Sequence, residues 1–167
     1  MKRAFIWIGV FVFLLIIGVG LSRSLAPQRD SGLAPDFTVD TFDHGSIQLS
    51  ELQGKVVMID IWASWCIPCR EEAAELEALW QQYQADDFIL LGVAYSDTER
   101  GAKAFIAEYG ITYPNGPDIG LKISDTYGLQ GVPEKYIVDK QGEIQKVFIG
   151  PASIAEYKAV IDPLLNQ

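Results

Sequence analysis

The stretch that decides the fold is Val56-Val57-Met58-Ile59-Asp60-Ile61-Trp62-Ala63-Ser64-Trp65-Cys66-Ile67-Pro68-Cys69-Arg70. Its apolar half, Val56 to Trp62, has the length and β-branched content of a buried strand. Ala63-Ser64-Trp65 then leads to a Cys-x-x-Cys and on into a helix whose apolar positions Ala73, Leu76, Trp80 and Tyr83 recur every three or four residues. A strand that delivers two cysteines to the first turn of a helix suits thiol chemistry. The reactive species is the thiolate, and the unpaired N–H groups and positive dipole end of the helix stabilise that anion. Cys66 is expected at the N-cap as the exposed nucleophile, with Cys69 one turn inside as the resolving thiol. Pro68 suits the first turn because it has no N–H to leave unpaired and its φ is already helical.

The octet Trp62-Ala63-Ser64-Trp65-Cys66-Ile67-Pro68-Cys69 resembles the thioredoxin active-site pattern W-A-x-W-C-x-P-C. Taken with an apolar N-terminus and a downstream Gly131-Val132-Pro133-Glu134, the chain resembles the membrane-anchored TlpA/ResA/DsbE-type thiol–disulfide oxidoreductases. Those include the cytochrome c maturation members. The resemblance runs from about Ala34 to Leu165. It implies a thioredoxin fold, a central mixed α/β sheet flanked by helices, with an added N-terminal β-hairpin.

Composition narrows the function classes. Of 167 residues, 49% are apolar, and the net charge is −9. Residues 31–167 carry nine basic and 21 acidic side chains, a net charge near −12. That surface argues against nucleic acid and against adhesion to anionic lipid. Cys66 and Cys69 are the only cysteines and His44 the only histidine. A zinc site would need a second pair, and haem attachment would need His where Arg70 stands. What remains is a redox pair or a structural disulfide. No metal and no cofactor is expected beyond the Cys66–Cys69 disulfide itself.

Residues 4–21 run without a charge behind Met1-Lys2-Arg3, just long enough to cross a bilayer as a helix. A cleaved signal peptide is the competing reading, but its apolar region usually spans only about 7–15 residues. The boundaries expected are an anchor over 1–21, a polar linker over 22–33 and one thioredoxin-like domain over 34–167. Lys2 and Arg3 favour a cytoplasmic N-terminus. The catalytic domain would then lie on the extracytoplasmic side of the cell membrane.

Within the domain, Ala34 to Val39 and Ile47 to Leu49 alternate around Asp43-His44-Gly45-Ser46, which predicts a hairpin. Phe88 to Tyr95 predicts a second buried strand, parallel to the first across the intervening helix. Ser96 to Glu99 offers caps for a helix stopped by Gly110, and Tyr113 to Asp118 reads as a loop. Leu121 to Tyr127 reads as a short helix. Lys135 to Asp139 and Glu143 to Ile149 form a hairpin around Gly142, and Ser153 opens a closing helix through a capping box with Glu156.

Several residues beyond the cysteines are candidates for the site. Asp60 interrupts an apolar strand, and burying a carboxylate there is costly unless it is paired or protonated. It either reaches solvent at the strand end or, as the matching Asp in thioredoxin implies, exchanges a proton with Cys69. Glu72 follows Cys69 by three residues. It either pairs with the helix dipole or, as in ResA-like proteins, sits beside the dithiol and raises the thiol pKa. By resemblance Val132-Pro133 is a cis-proline loop facing the dithiol, and its backbone is free to pair with an extended substrate. Glu134 matches an acid of the cytochrome c maturation members, or is a solvated charge. Trp65 offers an apolar lip for substrate.

The function the resemblance implies is reduction of disulfides in exported proteins, with an apocytochrome c as one candidate partner and a membrane thiol donor restoring the dithiol. A copper metallochaperone for an oxidase and a general disulfide reductase or isomerase are the alternatives.

Overall fold

The computed structural model describes residue 7, residues 10–15 and residues 28–167. Trp7 and residues 10–15 are helical and exposed. The anchor expected over residues 4–21 otherwise lies outside the described residues. Among the described residues no helix is long and apolar enough to cross a membrane.

The strands are β1 Gly32–Leu33, β2 Thr38–Asp40, β3 Ser46–Gln48, β4 Val56–Trp62, β5 Phe88–Ala94, β6 Asn115–Pro117, β7 Glu134–Val138 and β8 Glu143–Ile149. The α-helices are α1 Ile67–Tyr83, α2 Glu99–Tyr109, α3 Lys122–Tyr127 and α4 Ile154–Leu165. Six strands form one mixed sheet in the order β1-β8-β7-β4-β5-β6. The pairs β4·β5 and β5·β6 are parallel, whereas β4·β7, β7·β8 and β1·β8 are antiparallel. Strands β2 and β3 form the separate expected hairpin. It is shorter than its alternation suggested, because Leu49 turns into a 3₁₀ helix over Leu49–Leu52.

Every residue of β4 is buried, which explains its near-continuous apolar run. Its alternate side chains serve two cores. Val56, Met58 and Trp62 pack with Cys66, Cys69 and the inner faces of α1, α2 and α4. Val57, Ile59 and Ile61 pack with α3, Tyr136 and the hairpin residue Val39. A side chain of this kind fully buried is worth about 1.5–3 kcal/mol, so β4 contributes to both layers at once.

Two elements depart from the sequence reading. Asn115–Pro117, expected as loop, adds β6 to the sheet beside β5. The reason is tertiary: the Trp62 indole N–H donates to Asn115 Oδ1 at 2.8 Å, and Gly92 on β5 leaves the space that Asn115 fills. The end of the stretch read as linker is also held. Gly32–Leu33 pairs with β8, and the Arg29 N–H donates to the Tyr127 carbonyl. The capping box on α4 forms as the sequence indicates, with Ser153 and Glu156 bonding reciprocally.

Candidate active site

Cys66 is the N-cap of α1, with extended backbone, and Pro68 stands in the first turn. The Cys69 N–H donates to Cys66 Sγ at 3.2 Å, so the sulfur sits where an N-cap oxygen would. Cys66 and Cys69 are joined as a disulfide with Cα atoms 5.3 Å apart. An anion formed at Cys66 would face the unpaired N–H groups of α1. The expectation of an exposed Cys66 is corrected: it is only 4% exposed, against 2% for Cys69. Its neighbours Trp65 and Ile67 carry the exposure instead, at 57% and 70%. In the oxidised state the first sulfur is thus flanked by two accessible apolar side chains.

The second wall comes from the start of β7. The Val132–Pro133 peptide is cis, and the Val132 carbonyl oxygen lies 3.5 Å from Cys66 Sγ. The antiparallel register that sets Ile61 against Glu134 explains the meeting. It places the entry to β7 beside the exit from β4, where the cysteine loop begins.

The loop carrying Cys66 is fastened from two sides. Asp97 accepts from the Ser64 N–H at 2.5 Å, from Ser64 Oγ at 2.9 Å and from the Thr98 N–H at 2.8 Å. The Trp65 indole N–H donates to the Ser96 carbonyl at 3.2 Å, and Ser96 itself holds a left-handed φ of 45°. On the other side Arg70 donates to the Ser64 carbonyl at 3.2 Å, pairs with Glu108 and lies over the rings of Phe105 and Tyr109.

On the sheet face against which the cysteines pack lies a buried charged cluster. Asp60 is 2% exposed, so it does not reach solvent at the strand end, and Glu72 is buried as well, at 5%. Both meet Lys135, which is fully buried in β7. Lys135 Nζ pairs with Glu72 Oε1 and stands 3.4 Å from Asp60 Oδ1. The other Glu72 oxygen accepts from the Tyr157 hydroxyl of α4 at 3.3 Å. Burial pushes Asp60 above the usual carboxylate range, and the Lys135 charge partly offsets that. Burial likewise lowers Lys135, and Asp60 opposes the shift.

Sequence reasoning missed Lys135, Tyr157 and Asp97. A lysine within the run Glu134 to Val138 was the available signal, but its partner follows only from the register Asp60↔Lys135.

Glu134 is fully buried rather than solvated. Strand alternation turns it to the face of Tyr136 and Val138, opposite Lys135. Its Oε2 accepts from the Gln130 N–H at 3.1 Å, and burial raises its pKa. The structure therefore brings Cys66 to Cys69 and to the Val132 carbonyl beside cis-Pro133, with Trp65 exposed next to Cys66, while Asp60 and Glu72 meet at Lys135 and Glu134 lies on the opposite sheet face. Among the described residues no group of His, Cys, Asp or Glu is arranged to hold a metal ion.

Residues 32–147 match the AhpC/TSA family. The chain is 30% identical to the thiol-disulfide oxidoreductase ResA of Halalkalibacterium halodurans, over 97% of this chain and 98% of that one. It is 40% identical to the thiol:disulfide interchange protein HelX of Rhodobacter capsulatus, over 67% of this chain and 62% of that one. Among solved structures, a thiol:disulfide interchange protein from Chlorobium tepidum superposes with a TM-score of 0.72 at 26% identity. That match covers 84% of this chain and 99% of the other.

Proposed function

The chain belongs to the AhpC/TSA family and is a thiol–disulfide oxidoreductase of thioredoxin-like fold, and from that premise we propose that it reduces disulfides in exported proteins, with an oxidised apocytochrome c as the substrate class. The observation that carries this reading is Cys66 at the N-terminus of α1, joined to Cys69 and beside the Val132 carbonyl.

The reduced protein begins with a Cys66 thiolate held by the helix N-terminus. It attacks one sulfur of the substrate disulfide, forming a mixed disulfide and releasing the other substrate sulfur as thiolate. Cys69 gives its proton to Asp60 and attacks Cys66 Sγ. The Cys66–Cys69 disulfide forms and the second substrate sulfur leaves. Two electrons pass from the dithiol to the substrate, and a membrane thiol donor returns them. Trp65 supplies an apolar contact, and the backbone at Val132 pairs with the extended substrate. The sequence Val132-Pro133-Glu134, resembling the cytochrome c maturation members, supports that substrate class. Residues 4–21 hold the protein in the membrane with the domain over 34–167 outside the cytoplasm, where a reducing dithiol has disulfides to act on.

Direction is tested by equilibrating the protein against thiol–disulfide buffers. A potential near or below that of thioredoxin, about −270 mV, is expected of a reductant. A value near about −120 mV, that of a strong oxidant, would reverse the proposed direction.

A further inference from the structure

Lys135 has no exposed surface, and two acids meet it from different elements, Asp60 from β4 and Glu72 from α1, while Tyr157 from α4 bonds the second oxygen of Glu72. Tyr113, buried in the segment before β6, lies near enough for the Asp60 charge to raise it further. Cys66 and Cys69 pack on the same sheet face. With both acids ionised and the lysine charged, this interior would hold a net charge of −1. An uncompensated charge away from water is costly, and a proton is the simplest way to remove it.

The contacts say which acid takes that proton. Glu72 is held on both oxygens, one by the Lys135 ammonium and the other by the Tyr157 hydroxyl, as an ionised carboxylate is. Asp60 has only the 3.4 Å approach of Lys135, and its Oδ1 is a buried oxygen without a hydrogen-bond partner among the described residues. An acid left short of donors favours its neutral form.

We propose that Lys135 is a positioning residue for thiol exchange: by committing its charge to Glu72 it leaves Asp60 as the carboxyl that exchanges a proton with Cys69. This rests on the reading of Cys66 as attacking and Cys69 as resolving thiol. The resolving step runs from the fraction of protein in which Asp60 is ionised, which grows as pH rises: the Cys69 S–H bond breaks, its proton goes to the Asp60 carboxylate, and the Cys69 sulfur displaces the substrate sulfur from Cys66. Glu72 stays a fixed countercharge throughout.

The test uses the reduced protein and an aromatic disulfide that releases a coloured thiolate, dithionitrobenzoate. The first equivalent released reports attack by Cys66, and the second reports resolution by Cys69. The rate of the second phase is followed against pH. Removing the cation in Lys135→Met should move the midpoint of that profile up by about 1–3 pH units, because two buried carboxylates are then left facing each other. Adding Glu72→Gln to Lys135→Met restores the charge balance and should bring the midpoint back toward wild type. Lys135→Arg should keep it. A purely structural lysine would give the same midpoint in all variants, and that result would overturn the proposal. So would a shift that Glu72→Gln leaves uncorrected. If Lys135→Met does not fold, Glu72→Gln alone decides: it frees Lys135 for Asp60 and should lower the midpoint, and an unchanged midpoint contradicts the proposal. A wild-type protein that releases one equivalent and stops would overturn the Cys69 assignment as well, which separates that failure from a failure of the lysine argument.

Discussion

The sulfur of Cys66 lies 3.5 Å from the carbonyl oxygen of Val132, across 66 residues of sequence. Two strands running in opposite directions make that meeting. Strand β4 ends at Trp62 and releases the cysteine loop, while β7 begins at Glu134 beside Ile61. A substrate segment entering between Trp65 and Val132 would reach Cys66 with backbone groups on one side and an indole on the other.

The buried acid gives a prediction about stability. Burial raises the Asp60 pKa in the folded protein above its unfolded value of about 3.9. The folded state therefore binds the proton more tightly, and the stability this contributes at low pH is lost as the pH rises through the folded pKa. Asp60→Asn carries no such titration. In thermal melts of the oxidised protein it should gain on wild type between pH 4 and pH 8, while resolution by Cys69 slows about 10²-fold for want of a base. An equal stability difference at both pH values would contradict the assignment of Asp60.

That acid also marks what the sequence could and could not reveal. Strand β4 was legible to the residue because a buried parallel strand is apolar on both faces, and Cys66 as N-cap followed from Pro68. Asp60 stood out against the same apolar background. Its partner did not, since only the β4·β7 register sets Lys135 opposite Asp60 and next to Glu72. Strand β6 was hidden for another reason: Asn115-Gly116-Pro117 has no strand propensity, and its pairing with β5 depends on the Trp62–Asn115 bond. The burial of Cys66 was likewise set by contacts with the Val132 loop that local pattern does not encode.

Asp97 organises the cysteine loop through three hydrogen bonds to Ser64 and Thr98. Asp97→Ala removes a charged acceptor from the half-buried Ser64 donors, which should lower stability by about 1–3 kcal/mol in denaturant titrations. The same variant should slow the Cys66 reaction by loosening Trp65 and Ser64. Unchanged stability would show that the loop holds without Asp97.

Trp65 is exposed over more than half its surface yet fixed through its bond to Ser96. A residue so placed should act on bulky substrates only. Trp65→Ala should cut the rate of protein disulfide reduction about tenfold, the loss of roughly 1.4 kcal/mol of contact energy, and leave a small aromatic disulfide nearly unaffected. Equal losses on both substrates would place Trp65 in loop structure rather than substrate contact.

The anchor proposed over the uncharged residues 4–21 predicts that the intact protein stays with the membrane. After alkaline carbonate extraction, full-length protein should remain in the pellet. A soluble fragment beginning near Pro27 would show cleavage instead.

The central claim is that Cys66 attacks and Cys69 resolves, and trapping tests it most directly. Cys69→Ser removes the only internal thiol able to release the substrate. In cells, this variant should accumulate a mixed disulfide, seen as a band that disappears on reduction, and Cys66→Ser should give none. An apocytochrome c or a haem-attachment component in that band is the partner expected, whereas a spread of unrelated exported proteins would indicate a general reductase or isomerase. Absence of any mixed disulfide with Cys69→Ser under oxidising growth would contradict thiol exchange at this site.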